Sequence, residues 1–154
     1  LSLSIEEREM NHYTKDNFRA EKSIGLALTK ARNILVAEMD NALKDLDITS
    51  QQMGILLTLN GGVASTPFEL SKLLGVDTGL MTRLLDKLED KGLLERSRSL
   101  EDRRVVNLTL TKKGKQVAAQ LPEIAPGVLN GRLKHFTKQE FIELGRLLNK
   151  FLED

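Results

Sequence analysis

From Ile24 onward, apolar residues recur at positions 24, 28, 31, 35, 39, 42 and 46, and these steps of three and four lay one stripe along a helix. The stripe predicts a first helix of roughly seven turns, with Asp16 as its candidate cap and Leu46-Asp47-Ile48 as its exit. Thr49-Ser50-Gln51-Gln52 then reads as a capping box, and a short helix carrying Met53, Leu56 and Leu57 runs to Gly61-Gly62. Thr66-Pro67-Phe68-Glu69 combines a cap, a proline at the first helical position and a carboxylate at the third. The helix it opens passes through Leu70, Leu73 and Leu74 and closes at Gly75. Asp77 caps the next helix, which runs to Lys91 and stops at Gly92. Two helices separated by Gly75-Val76-Asp77 form a helix-turn-helix signature.

The period then changes to two. Leu93 to Ser97 and Val105 to Leu110 read as paired strands around a polar loop, a wing attached to the helix-turn-helix. Thr111 begins another helix through Val117 and Leu121, which Pro122, Pro126 and Gly127 are expected to interrupt. Thr137-Lys138-Gln139-Glu140 is a second capping box, and the helix after it carries a stripe of Phe141, Leu144, Leu148 and Phe151, with Leu147 beside it. The expected fold class is therefore mainly α with a small β-hairpin wing. A winged helix-turn-helix spans 49–121, dimerisation helices occupy 16–48 and 122–154, and residues 1–15 form an N-terminal extension. The flanking stripes have little in a small chain to cover them, so a two-fold homodimer is the economical way to bury them.

A chain of 154 residues suits one domain of usual size. With no cysteine, disulfides, thiolate metal sites and thiol chemistry are excluded. No apolar run approaches the ~18–20 residues of a membrane span. Leu1 to Met10 is acidic and lacks a basic region before an apolar stretch, so no secretory signal is expected. A cytoplasmic location is expected, and the lack of cysteine fits it. The net charge of +1 names no partner, but its distribution does. Between Arg96 and Lys115 seven basic residues (Arg96, Arg98, Arg103, Arg104, Lys112, Lys113, Lys115) face only Glu101 and Asp102, a footprint suited to a polyanion.

On the helix capped by Asp77, a turn of about 100° per residue gathers Leu80, Met81, Leu84, Leu85 and Leu88 on one arc. The opposite arc holds Gly79, Thr82, Arg83, Asp86 and Asp90, with Thr78 and Lys87 at its edges. Small residues allow close approach to a groove, Thr82 can bond a base edge or touch a thymine methyl, and Arg83 can bond guanine O6 and N7 together. Asp86 and Asp90 would repel phosphates, which points to the first two turns as the part entering the groove. At the wing, Asp102 and Arg104 stand two apart, so the aspartate can hold the guanidinium extended for a narrow minor groove.

With these elements in place, the chain resembles the MarR family of winged-helix transcriptional regulators. The resemblance rests on Thr66 to Val76, on Met81 to Arg96, and above all on Glu101-Asp102-Arg103-Arg104 running into Leu108-Thr109-Leu110-Thr111-Lys112-Lys113-Gly114. It implies a homodimer with interlocked terminal helices, bound to double-stranded DNA at a pseudo-palindromic operator. It implies that the helix from Asp77 lies in the major groove, that Arg104 reaches the minor groove, and that no cofactor is needed. It further implies repression, relieved when a small aromatic or phenolic ligand, often anionic, enters a crevice between the dimerisation helices and the winged helix.

His12, Tyr13, Arg19 and Lys22, at the start of the first helix, are the candidate polar partners for such a ligand, with Met53 and Leu57 as an apolar wall. The family's cysteine-based peroxide sensing is excluded, and the two histidines, His12 and His135, are too few for a metal sensor. An enzyme would need a positioned base, nucleophile or phosphate loop, and none is present. The alternative reading is a winged helix that binds protein and not DNA; Arg83, Arg103 and Arg104 argue against it.

Overall fold

A computed structural model describes residues 11–154; the acidic stretch Leu1 to Met10 lies outside the described residues. A 3-10 turn, Ala20–Lys22, leads into α1 (Ile24–Ala42), and a second one, Lys44–Leu46, follows it. Next come α2 (Ser50–Asn60), α3 (Pro67–Leu74), α4 (Thr78–Asp90), β1 (Leu94–Arg98), β2 (Val106–Leu110), α5 (Lys112–Leu133) and α6 (Lys138–Leu152). The chain forms two compact units, one ending at Leu35 and the other beginning at Val36. Among the described residues no helix is long and apolar enough to cross a membrane.

Local hydrogen bonds account for most boundaries. Thr49 and Gln52 form a complete capping box on α2, and Thr137 and Glu140 form another on α6. Thr66 accepts from Glu69 N with Pro67 at the first helical position, and Asp77 accepts from Leu80 N at 2.8 Å. The turn between α3 and α4 depends on Gly75, whose φ of +64° is left-handed. After α4, Gly92 (φ +71°) lets Leu93 N reach back to Leu88 O at 3.0 Å. Leu93 is thereby used to close the helix, and this is why β1 begins at Leu94, one residue later than the alternation suggests.

Three expectations need correction. Asp16 is not the cap of α1, because the 3-10 turn intervenes; Ser23 Oγ accepts from Leu26 N at 3.1 Å and does that work. The first helix ends at Ala42, and its apolar stripe crosses into a separate turn closed by Asp47 in the left-handed region (φ 55°). The prolines do not interrupt α5, which runs unbroken from Lys112 to Leu133 through Pro122 and Pro126. Each proline removes one helical hydrogen bond, but both rings lie on the exposed side of the helix, where they meet no core residue. The opposite side is held, with Leu121 buried and Ile124, Ala125 and Val128 packed on the core. Arg132 also pairs with Glu38 of α1.

Among the described residues, the buried apolar side chains lie within 39–121. Leu43, Ile55, Leu56, Leu70, Met81, Leu85, Leu88, Leu93, Leu94 and Leu121 are fully enclosed there. Strands β1 and β2 pair antiparallel, with Leu94 opposite Leu110 and Arg98 opposite Val106. Leu108 N donates to Ser65 O at 2.8 Å, fastening the hairpin to the segment before α3. At the foot of the hairpin, Thr111 N donates to Leu93 O, and Gly114 packs against the same carbonyl. A Cβ at position 114 would stand 1.9 Å from Leu93 O, a backbone atom that cannot swing away. Gly114→Ala is expected to destabilise the fold by about 3 kcal/mol or more, read as a lower urea midpoint in chemical denaturation.

Candidate nucleic-acid interface

The apolar arc of α4 is buried, with Met81, Leu84, Leu85 and Leu88 inside and Leu80 half-covered. Its other arc is open: Thr78, Gly79, Thr82, Arg83, Asp86, Lys87 and Asp90 are all exposed. Thr82 Oγ1 donates to Thr78 O at 2.9 Å, leaving its methyl group and lone pairs to face outward. Arg83 runs back toward the helix N-terminus, and its Nη1 would lie 3.7 Å from a Cβ at Gly79. The same Cβ would press on the capping Asp77 carboxylate at 3.3 Å. The absent side chain at position 79 thus keeps both the cap and the arginine unobstructed.

The wing tip is shaped by its own hydrogen bonds. Ser99 Oγ accepts from Glu101 N at 3.2 Å and from Asp102 N at 3.3 Å, while Val105 N donates to Asp102 O. Arg98 Nη1 donates to Arg103 O at 2.8 Å, so this cation is used to hold the loop. Asp102 Oδ1 accepts from both Arg104 N and Arg104 Nε at 3.0 Å, and its Oδ2 accepts from Arg104 Nη2 at 3.1 Å. The arginine therefore presents a clamped fork while its side chain stays 91% exposed. The guanidinium bonds, and then the backbone bond, lower the Asp102 pKa below the usual aspartate value, so the brace is charged at neutral pH. Arg103 is exposed beside it.

Not every expected contact faces outward in the same way. Arg96 turns back toward α4, donating through Nε to Glu89 Oε2 at 3.0 Å and through Nη2 to Asp86 Oδ1 at 2.5 Å. For Ser99 the sequence does carry a signal, since a serine followed three residues later by an aspartate in a polar loop marks a turn. Lys91 has no such local signal, because its partners lie 44 and 39 residues away. Its Nζ donates to Asp47 O and, at 3.4 Å, to the buried Gln52 Oε1, fastening the end of α4 to the start of α2.

The expected ligand residues divide between the units. His12, Tyr13, Arg19 and Lys22 belong to the one ending at Leu35, and Met53 and Leu57 to the other. Tyr13 Oη accepts from Ile24 N at 2.9 Å and its ring meets Phe18 edge-on, while Arg19 Nη1 donates to Phe18 O. Met53 and Leu57 are half-buried against the core. A cavity of about 460 Å³ beside Asp40, Lys44, Asp47 and Lys91 contains none of these six residues. Among the described residues no group of three or more His, Cys, Asp or Glu side chains could hold a metal ion.

The sequence model of the MarR family matches residues 48–106, the segment that carries the helix-turn-helix and most of the wing. The multiple antibiotic resistance protein MarR of Escherichia coli is 36% identical over 115 residues, covering 74% of this chain and 80% of that protein. The chain belongs to the MarR family. A crystal structure of a cysteine-to-serine mutant of the E. coli protein complexed with operator DNA matches with a TM-score of 0.78 at 31% identity, covering 90% of this chain and 99% of that one. BpsR of Bordetella bronchiseptica shares the fold, with a TM-score of 0.80 at 20% identity, covering 89% and 98% of the two chains. Membership in the MarR family makes this protein a winged-helix, DNA-binding transcriptional regulator. Asp102→Ala is expected to weaken DNA binding less than Arg104→Ala, because the cation stays and only its orientation is lost. Gel-shift titrations checked against an unchanged melting temperature test this order.

Proposed function

We propose that this protein is a homodimeric repressor that grips a pseudo-palindromic operator and lets go when a small aromatic or phenolic ligand, often anionic, binds. The observation that carries the DNA half is the Asp102–Arg104 brace at the wing, combined with the open Thr82–Arg83 face of α4. In this reading Thr78, Gly79, Thr82, Arg83 and Lys87 meet the major groove, and Arg104, with Arg103 beside it, enters the minor groove.

The dimer half is supported by the last helix. No residue of α6 is buried, and Phe141, Leu144, Leu147, Leu148 and Phe151 stand open along one stripe. A second copy would cover that stripe through a two-fold axis, which leaves 49–121 as the DNA-binding part and 16–48 with 122–154 as the dimerisation part. The ligand half is supported by the structurally similar BpsR, whose DNA binding is regulated by 6-hydroxynicotinic acid, an aromatic acid. His12, Tyr13, Arg19 and Lys22 are our candidates to hold such an acid. A regulator of this kind works on DNA in the cytoplasm.

Fragments selected from genomic DNA should show a footprint with a dyad, its half-sites about 10–10.5 bp apart. Binding should weaken steeply from low to moderate salt as counterions are released; salt-insensitive association with protein alone would support the interaction-module reading instead. Arg83→Ala is expected to relax preference at one base pair per half-site, costing ~1–3 kcal/mol of discrimination. Sedimentation equilibrium of the free protein should give twice the chain mass, and a panel of aromatic acids should contain one that releases the selected DNA.

A further inference from the structure

We propose that Arg96 serves DNA binding without touching DNA: it is a positioning residue that covers the charges of Asp86 and Glu89 and ties the wing to the recognition helix. The proposal rests on the DNA-binding reading above and assigns a role to a cation that its place in the basic segment would otherwise assign to a phosphate.

The geometry is specific. Along β1, Leu94 and Arg96 share the face turned toward the core, since side chains alternate along a strand. Leu94 is buried there, and Arg96, its side chain only 29% exposed, lies over α4. Asp86 and Glu89 are three apart and therefore neighbours on one side of that helix. One guanidinium spans both carboxylates, through Nε to Glu89 and through Nη2 to Asp86. A lysine, a single point of charge, could not make this fork.

The chemistry explains an otherwise awkward feature. Asp86 lies on the exposed arc with Thr82 and Arg83, where a bare carboxylate would repel the phosphates that Arg83 approaches. Arg96 cancels that repulsion from the protein side. Because it stems from the strand leading to the wing, it also links the placement of Arg104 to that of α4. Arg103 and Arg104, in contrast, carry their charge outward at the tip.

The test is a double-mutant cycle on operator affinity, measured by fluorescence anisotropy with the intact chain and DNA selected from genomic fragments. The four proteins are wild type, Arg96→Gln, the pair Asp86→Asn with Glu89→Gln, and all three changes together. Arg96→Gln is expected to weaken binding about tenfold when both carboxylates are present, and by less than about twofold once they are neutral. An equal loss in the two backgrounds would make Arg96 a direct DNA contact and overturn the proposal. A lowered melting temperature with unchanged affinity of the folded protein would make it a stability element alone, and overturn it as well. Should Arg96→Gln fail to fold, the same cycle with Arg96→Lys is expected to show a smaller coupling, about threefold, and no coupling there overturns the proposal. Failure of the wild-type chain to bind any DNA overturns the DNA-binding reading, and this proposal with it.

Discussion

A helix can offer a reading face only if its other face is held, and here the holding is done by four side chains. Met81, Leu84, Leu85 and Leu88 of α4 are sunk in the core formed with α2, α3 and β1. Burial of such a side chain contributes about 1.5–3 kcal/mol, which is ample to decide the rotation of a helix of 13 residues about its axis. Once that rotation is set, Thr82 and Arg83 have no direction left but outward. The two ends are set as well, by the Asp77 cap at one and the Gly92–Leu93 turn at the other. The interface is a by-product of the core.

Charge is handled by local pairing more than by a field. The chain is close to neutral, and its surface ion pairs individually contribute little to stability. Their value lies in geometry. Asp102 limits the rotamers of Arg104, which lowers the entropic cost of ordering it against a partner. The Arg98 guanidinium holds a wing carbonyl, and the Lys91 ammonium holds the junction at Asp47. Cations grouped together in the sequence thus divide into those that build the interface and those that face outward from it.

Much of this was legible in the chain before any coordinates. The caps at Thr49, Thr66, Asp77 and Thr137 are contacts between residues three apart, and all four accept the expected backbone hydrogen bond. The turn of the helix-turn-helix and the pairing of Asp102 with Arg104 are equally short-range. Asp16 misled because an acid upstream of an apolar stripe looks the same whether or not a 3-10 turn intervenes.

Capping and periodicity are written within one or two turns of chain, so helix starts and buried faces can be read from the residues alone. The tertiary structure alone decided how far α5 continues. Prolines 122 and 126 carry a local instruction to stop, and packing of Leu121, Ile124 and Val128 on distant residues overrides it. It alone decided, too, that Arg96 faces inward, since its partners Asp86 and Glu89 lie on another element that only the folded hairpin brings within reach. Contacts between residues far apart in the chain depend on the shape of the assembled core, and no short window of sequence contains that shape.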